Sequence, residues 1–262
     1  MLVNIRKFTA VPYKDLRELV QHSMFDEATA GFLRACVRSG LSTVVAGAPG
    51  SGKTTLLACL AAELDPALRV VIAEEVFETD VPLPNVAHMQ TRPARADRKE
   101  VDLRRLVAGF LRMAPDVAIV GEVRDREALA LLLTLSSGVQ GFTTIHAGSA
   151  RQALSRLRFI CQLAETGSEL TVSALSALVS EAVDIVVHCA RQGGAVRVTE
   201  VLAVEDLQVG HDNVAFTTTS IFARSRHDAP LTWTGNLPVR AVRALELAGY
   251  DLRGLAEGWS CR

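Results

Sequence analysis

Residues Ser42–Ala46 read STVVA and run directly into Gly47-Ala48-Pro49-Gly50-Ser51-Gly52-Lys53-Thr54, after which Thr55-Leu56-Leu57-Ala58 opens an apolar run. The octet fits G-x-x-x-x-G-K-(S/T), a glycine-rich phosphate loop. Its glycines let backbone N–H groups face an anion without a Cβ in the way. The helix that follows aims its positive N-terminal end at the same point. On this reading Lys53 reaches the β- and γ-phosphates, the Thr54 hydroxyl sits on Mg²⁺, and Gly47–Thr55 is the binding segment. The competing reading is a chance glycine turn. The motif demands a strand before it and a helix after it, and both signals are present.

Outward from the loop, strands and helices alternate. Asp26–Arg38 carries Phe32, Leu33, Cys36 and Val37 at helical spacing and stops at Gly40. Lys53–Leu64 continues the loop as a helix, and Arg69–Ala73 is a strand ending in acids. Val81–Lys99, with Pro82, Pro84, Asn85 and Pro93, reads as a long loop. Val101–Met113 is amphipathic and ends at Pro115. Val117–Val120 is an apolar strand entering Gly121-Glu122, Arg126–Ser137 a Leu-rich helix closed by Gly138, and Phe142–Ile145 another strand. Helices follow at about Ser149–Leu163 and Thr171–Ala182. Strands apolar on both faces, alternating with helices, predict an α/β fold with a mainly parallel sheet covered on both sides.

The pattern changes after residue 183. Ile185–His188 and Val196–Val201 flank Gly193-Gly194, which reads as a hairpin. Leu207–Val209 and Val214–Ile221 flank Gly210–Asn213 in the same way, and Val239–Leu247 reads as a helix. The expectation is a core over residues 23–190 and a small C-terminal hairpin and helical appendage over 191–262.

The 262 residues are 49% apolar and 22% charged, with a net charge of −1. That composition excludes disorder, and the balance gives no global pull towards nucleic acid or anionic lipid. Cys36, Cys59, Cys161, Cys189 and Cys261 lie far apart with no C-x-x-C pair. They make neither a zinc site nor a disulfide framework, and read as reduced thiols. The opening MLVNIRKFTA lacks a signal peptide's apolar core, and apolar runs such as Ala128–Leu133 are far short of the ~20 residues that span a bilayer. The expected compartment is the cytosol.

Three further elements carry chemistry. VAIVGE (Val117–Glu122) is a strand ending in an acid, which the carboxyl edge of a parallel sheet sets near the phosphate loop to hold Mg²⁺ through water. Glu74 and Glu75, with Glu78 behind them, end the preceding strand; an acid there can polarise the attacking water, or the trio can be a solvated rim. His146 closes the strand Phe142–Ile145 at the same edge, where it can sense the γ-phosphate or serve only structure. Arginines 92, 95, 98, 104, 105 and 112, with Arg124 nearby, form a basic run. It reads as a solvated face, or as a source of arginine fingers.

Together these residues resemble the secretion and pilus-assembly ATPases of type II and type IV systems, most closely the Tad/Flp pilus-assembly branch. IRKF (Ile5–Phe8) resembles the segment joining that family's N-terminal domain to its motor domain, and FLRACV (Phe32–Val37) the helix before the phosphate loop. RVVIAEEVFE (Arg69–Glu78) resembles its Asp box, and QTRP (Gln90–Pro93) its arginine-bearing loop. LRMAPDVAIVGEVRD (Leu111–Asp125) resembles its Walker B region, TTIHAGSARQALSRL (Thr143–Leu157) its His box, and VTEV (Val198–Val201) a strand near its end.

The resemblance implies a RecA-like P-loop NTPase core that hydrolyses ATP with Mg²⁺. Glu74 takes the place of the catalytic Asp-box glutamate, Glu122 of the Walker B acid and His146 of the His-box histidine. Thr54, Glu75 and Glu122 fall at the metal, and Arg92, Arg104 and Arg112 on arginines near the nucleotide or a subunit boundary. It further implies a homohexamer at the inner face of the membrane, working with an inner-membrane platform protein. Glu75 stands where the family usually has Asp. Ala108 and Ala114 stand where arginines are frequent, and Val139 where a histidine is common. A sizeable domain precedes IRKF in that family; with IRKF starting at Ile5, residues 1–22 read as the linker from a missing domain. Two rivals remain open: a nucleic-acid-translocating RecA-like motor, and a nucleotide-dependent interaction module with little turnover.

Overall fold

The apolar runs pair into one sheet. The computed structural model describes residues 13–164, 170–209, 214–226 and 229–252. In chain order the elements are α1 (Leu16–Gln21), α2 (Glu27–Arg38), β1 (Thr43–Gly47), α3 (Lys53–Ala61), β2 (Val70–Glu74), β3 (Val86–Gln90) and α4 (Leu103–Val107). There follow β4 (Val117–Val123), α5 (Glu127–Ser136), β5 (Gln140–Ile145), α6 (Ala150–Ala164), α7 (Val172–Ala182) and β6 (Ile185–Gln192). The chain ends in β7 (Ala195–Val209), β8 (Val214–Arg224), β9 (Leu231–Trp233) and α8 (Val242–Leu247).

Among the described residues the strands form a single sheet in the order β3-β2-β4-β5-β1-β6-β7-β8-β9. From β3 to β6 neighbours run parallel, and from β6 to β9 antiparallel. The strands β1, β2 and β4 are mainly apolar because each feeds two cores. Val45, Ile72, Val117 and Ile119 point to the face under α2 and α3; Val44, Ala46, Ala118 and Val120 point to the face under α5, α6 and α7. This is the mainly parallel, doubly covered α/β architecture predicted from the alternation. Parallel strands bring the C-terminal ends of β1, β2, β4 and β5 to one edge, so the phosphate loop, Glu74, Glu122 and His146 share it. No helix among the described residues is long and apolar enough to cross a membrane.

Several expectations change. The segment expected as one long loop, Val81–Lys99, contains β3, an edge strand paired only with β2. Beyond it, isolated bridges pair Arg92 with Val101 and Arg95 with Arg98. The helix expected over Val101–Met113 stops at α4 and resumes as a 3₁₀ turn, Phe110–Met113, with Gly109 between them. Val196–Val201 and Leu207–Val209 belong to one long strand, β7, that tolerates register shifts against β8. The antiparallel strands continue the core's own sheet. α1, which buries Leu16 and Leu19, and β9 are additional elements. The IRKF segment, Cys261 and the turn at Gly210–Asn213 lie outside the described residues. The other four cysteines are free and buried.

Candidate functional site

The phosphate loop leaves β1 and ends in α3, whose first residue is Lys53. Gly52 precedes it in the left-handed region at φ +82°, and no side chain caps the helix. The first N–H groups of α3 are therefore open to an anion. Lys53 is 6% exposed. Its Nζ donates to the Ala48 carbonyl at 3.0 Å and lies 3.3 Å from His146 Nδ1. Burial lowers the Lys53 pKa, while the charge of Glu122 pulls it back up. The Ser51 Oγ is buried and has no hydrogen-bond partner.

Glu122 stands at a bulge in β4, where the register against β5 shifts between Val120 and Val123. Two buried β5 hydroxyls fix that bulge: Thr143 Oγ1 donates to the Val120 carbonyl at 2.8 Å and Thr144 Oγ1 to that of Gly121 at 2.7 Å. The Glu122 Oε2 accepts from Arg124 at 2.7 Å. Its Oε1 lies 2.7 Å from His146 Nε2, a charge contact out of line for a hydrogen bond, so that oxygen is buried without a hydrogen-bond partner. Burial would raise the Glu122 carboxyl, but Arg124 above all, then His146 and Lys53, hold it below its ordinary value. Arg124 also reaches Glu75 Oε2 at 3.3 Å.

Glu74 is 3% exposed at the end of β2. Its Oε1 accepts from Thr79 Oγ1 at 2.6 Å, and its Oε2 lies 2.6 Å from His88 Nε2. The backbone N–H groups of Glu78 and Thr79 add longer bonds of 3.2–3.3 Å. Burial pushes this carboxyl up, yet His88, Thr79 and Glu78 together outweigh it and keep the pKa below the usual value. Gly121 makes room for it: a Cβ there would sit 2.7 Å from Glu74 Oε1.

Thr54, Glu74, Glu75, Gly121, Glu122 and Arg124 line one cavity at this sheet edge. A second hollow on the other side of the loop is lined by Gly52, Thr55, Tyr13, His22, Arg191 and Val196. Lys53, Glu122 and His146 thus form one connected cluster, with Glu74 and Glu75 across the cavity. Arg92, Arg104 and Arg112 are exposed, and none of them lines it. The arginine found in the cavity is Arg124. It stands one residue past the end of β4 and bonds both Glu122 and Glu75. His88 and Thr79 also escaped notice, because they fell in what read as acidic rim and loop.

The residues present fit Mg²⁺ and a triphosphate. The uncapped start of α3 would take the phosphates, and Glu122 Oε1, buried without a hydrogen-bond partner, would help to hold the metal.

The chain is 36% identical over 200 residues to the conjugal transfer protein TrbB of Rhizobium radiobacter, covering 75% of this chain and 58% of that one. It is 39% identical over 166 residues to the type IV secretion system protein PtlH of Bordetella pertussis, covering 62% and 49%. Among solved structures it resembles the VirB11 ATPase of the Brucella suis type IV secretion system in complex with sulphate. That match has a TM-score of 0.61 and 29% identity over 74% of this chain and 56% of that one. The chain spans about half the length of the curated relatives it matches. The model of the family described as "Type II/IV secretion system protein" matches residues 2–224, and the chain belongs to that family.

Proposed function

We propose that this chain binds Mg²⁺-ATP at Gly47–Thr55 and hydrolyses it to drive a type II/IV secretion or pilus-assembly machine, of which the Tad/Flp pilus is one candidate. The observation that carries this is the meeting of Thr54 and Glu122 in one cavity at the uncapped start of α3, with Lys53 joined to Glu122 through His146. The loop's N–H groups and Lys53 take the phosphates. Thr54 and Glu122, with Glu75 beside them, would hold Mg²⁺, which when bound neutralises charge on the phosphate oxygens. Glu74 orients and deprotonates the attacking water. Each of its oxygens has one short bond, and only bonds of 3.2–3.3 Å must yield to a water. His146 touches Lys53 and Glu122 at once, so it registers whether a γ-phosphate has drawn Lys53 away. The hollow beside Thr55 and Tyr13 takes the nucleoside.

Arg92, Arg104 and Arg112, exposed outside the cavity, act across a subunit boundary in a hexameric ring on the cytoplasmic face of the inner membrane. A membrane platform protein receives the work. Titration calorimetry with Mg²⁺-ATP tests the reading. Lys53→Ala should weaken binding by about 2–3 kcal/mol, the scale of a charged hydrogen bond. Unchanged affinity would remove the loop from the assignment. Hydrolysis that DNA or RNA does not stimulate separates this motor from one that tracks nucleic acid.

A further inference from the structure

Glu74 and His88 meet at 2.6 Å although 14 residues separate them, because β3 pairs with β2 in parallel and lays His88 diagonally across from Glu74. A carboxylate has only acceptor oxygens. The proton in the contact therefore belongs to His88 Nε2. The Phe77 ring lies 4.3 Å from the imidazole, edge to face, and fixes its plane from the solvent side. Thr79 Oγ1 grips the other oxygen at 2.6 Å. One short bond per oxygen clamps the carboxylate beside Gly121, whose missing Cβ admits it to the cavity wall.

We propose that His88 is the positioning residue of Glu74, donating from Nε2 so that the buried carboxylate is held aimed into the cavity. The proposal rests on the reading of Glu74 as the base. Without His88, a carboxylate 3% exposed loses the short bond on Oε2. The two weaker backbone bonds then let it swing. Since His88 does not line the cavity, nucleotide binding is left intact.

The test compares wild type, His88→Ala, His88→Gln, Glu74→Gln and the Glu74→Gln/His88→Ala double variant in single-turnover hydrolysis of Mg²⁺-ATP. His88→Ala should lower the rate by about 10- to 100-fold with KM unchanged, because misplacing a catalytic group by about an ångström costs on that order. His88→Gln, whose amide keeps an N–H donor, should recover most of the loss. The double variant should be no slower than Glu74→Gln, since His88 acts only through that carboxylate. Imidazole ¹⁵N shifts supply a readout that does not need turnover: Nε2 should be the protonated nitrogen of His88. Wild-type rates in His88→Ala, losses that multiply in the double variant, or a proton on Nδ1 would each overturn the proposal. A Glu74→Gln variant that turns over normally overturns the base assignment and the positioning role with it. An impaired Glu74→Gln beside an untouched His88→Ala overturns the positioning role alone.

Discussion

Replacing each of three loop glycines by alanine gives a graded prediction, because the structure sets a different obstacle at each. Gly50 has φ +71° and nothing within 4 Å of a built Cβ. Gly50→Ala meets only the left-handed backbone penalty of about 1–2 kcal/mol. Gly52 has φ +82°, and a Cβ there would lie 2.6 Å from Val196 Cγ1 on the β6–β7 hairpin. Valine has few rotamers in which to retreat. Overpacking of this kind adds about 1–3 kcal/mol, so Gly52→Ala should cost about 2–5 kcal/mol in all. At Gly47, φ +155°, the added atom would collide with the Cys189 carbonyl, backbone of the adjacent strand β6, and with Ser51 Oγ. The strand backbone cannot step aside, and Gly47→Ala should be the worst of the three. In thermal melts without nucleotide, a chain of this size shifts by roughly 2–4 °C per kcal/mol, which puts Gly50→Ala about 2–8 °C below wild type. With Val196→Ala already present, Gly52→Ala should cost no more than Gly50→Ala does. If Gly52→Ala melts like Gly50→Ala, or if its cost is the same with and without Val196, the packing argument is wrong.

Two further predictions concern the acids. Glu122→Gln should keep ATP binding and lower turnover, with a steeper demand for Mg²⁺ in a titration; a variant with wild-type rate and wild-type Mg²⁺ dependence would remove Glu122 from the metal site. Glu74 and Glu122 both have folded-state pKa values below the ordinary carboxyl value of 4.5. Their contribution to stability is therefore present above the unfolded value and disappears as pH falls through the lower, folded value. Denaturant melts of the nucleotide-free protein should lose stability as pH falls below 4.5, and Glu74→Gln should flatten that slope; an unchanged slope would mean that its hydrogen bonds do not stabilise the ionised form.

What could be read in the sequence was local. The phosphate loop announces itself because eight consecutive residues must perform one task, and Glu122 and His146 because each ends an apolar strand whose carboxyl end a parallel sheet carries to the same edge. β3 was hidden for a physical reason. It is an edge strand with one neighbour, its side chains are half-buried or exposed, and Pro82, Pro84 and Asn85 stand just before it. With β3 read as loop, nothing could bring His88 to Glu74. The break after α4 was blurred in the same way, since Leu106, Val107 and Phe110 keep an apolar face through Gly109 into the 3₁₀ turn.

The hairpin β6–β7 was legible as a hairpin, but its task was not. Arg191, near its tip, donates to the Gly50 carbonyl at 3.1 Å and to the Gly194 carbonyl at 2.8 Å, while Val196 fills the space beside Gly52. The motif explains its glycines by the needs of a phosphate, and a reader of sequence stops there. In the folded chain Gly52 answers two demands, an open N–H at the start of α3 and room for a side chain 144 residues further along. The second demand couples the antiparallel half of the sheet to the nucleotide loop. A nucleotide that shifts Gly50 or Gly52 must move Arg191 and Val196, and the glycine series with Val196→Ala measures the strength of that link.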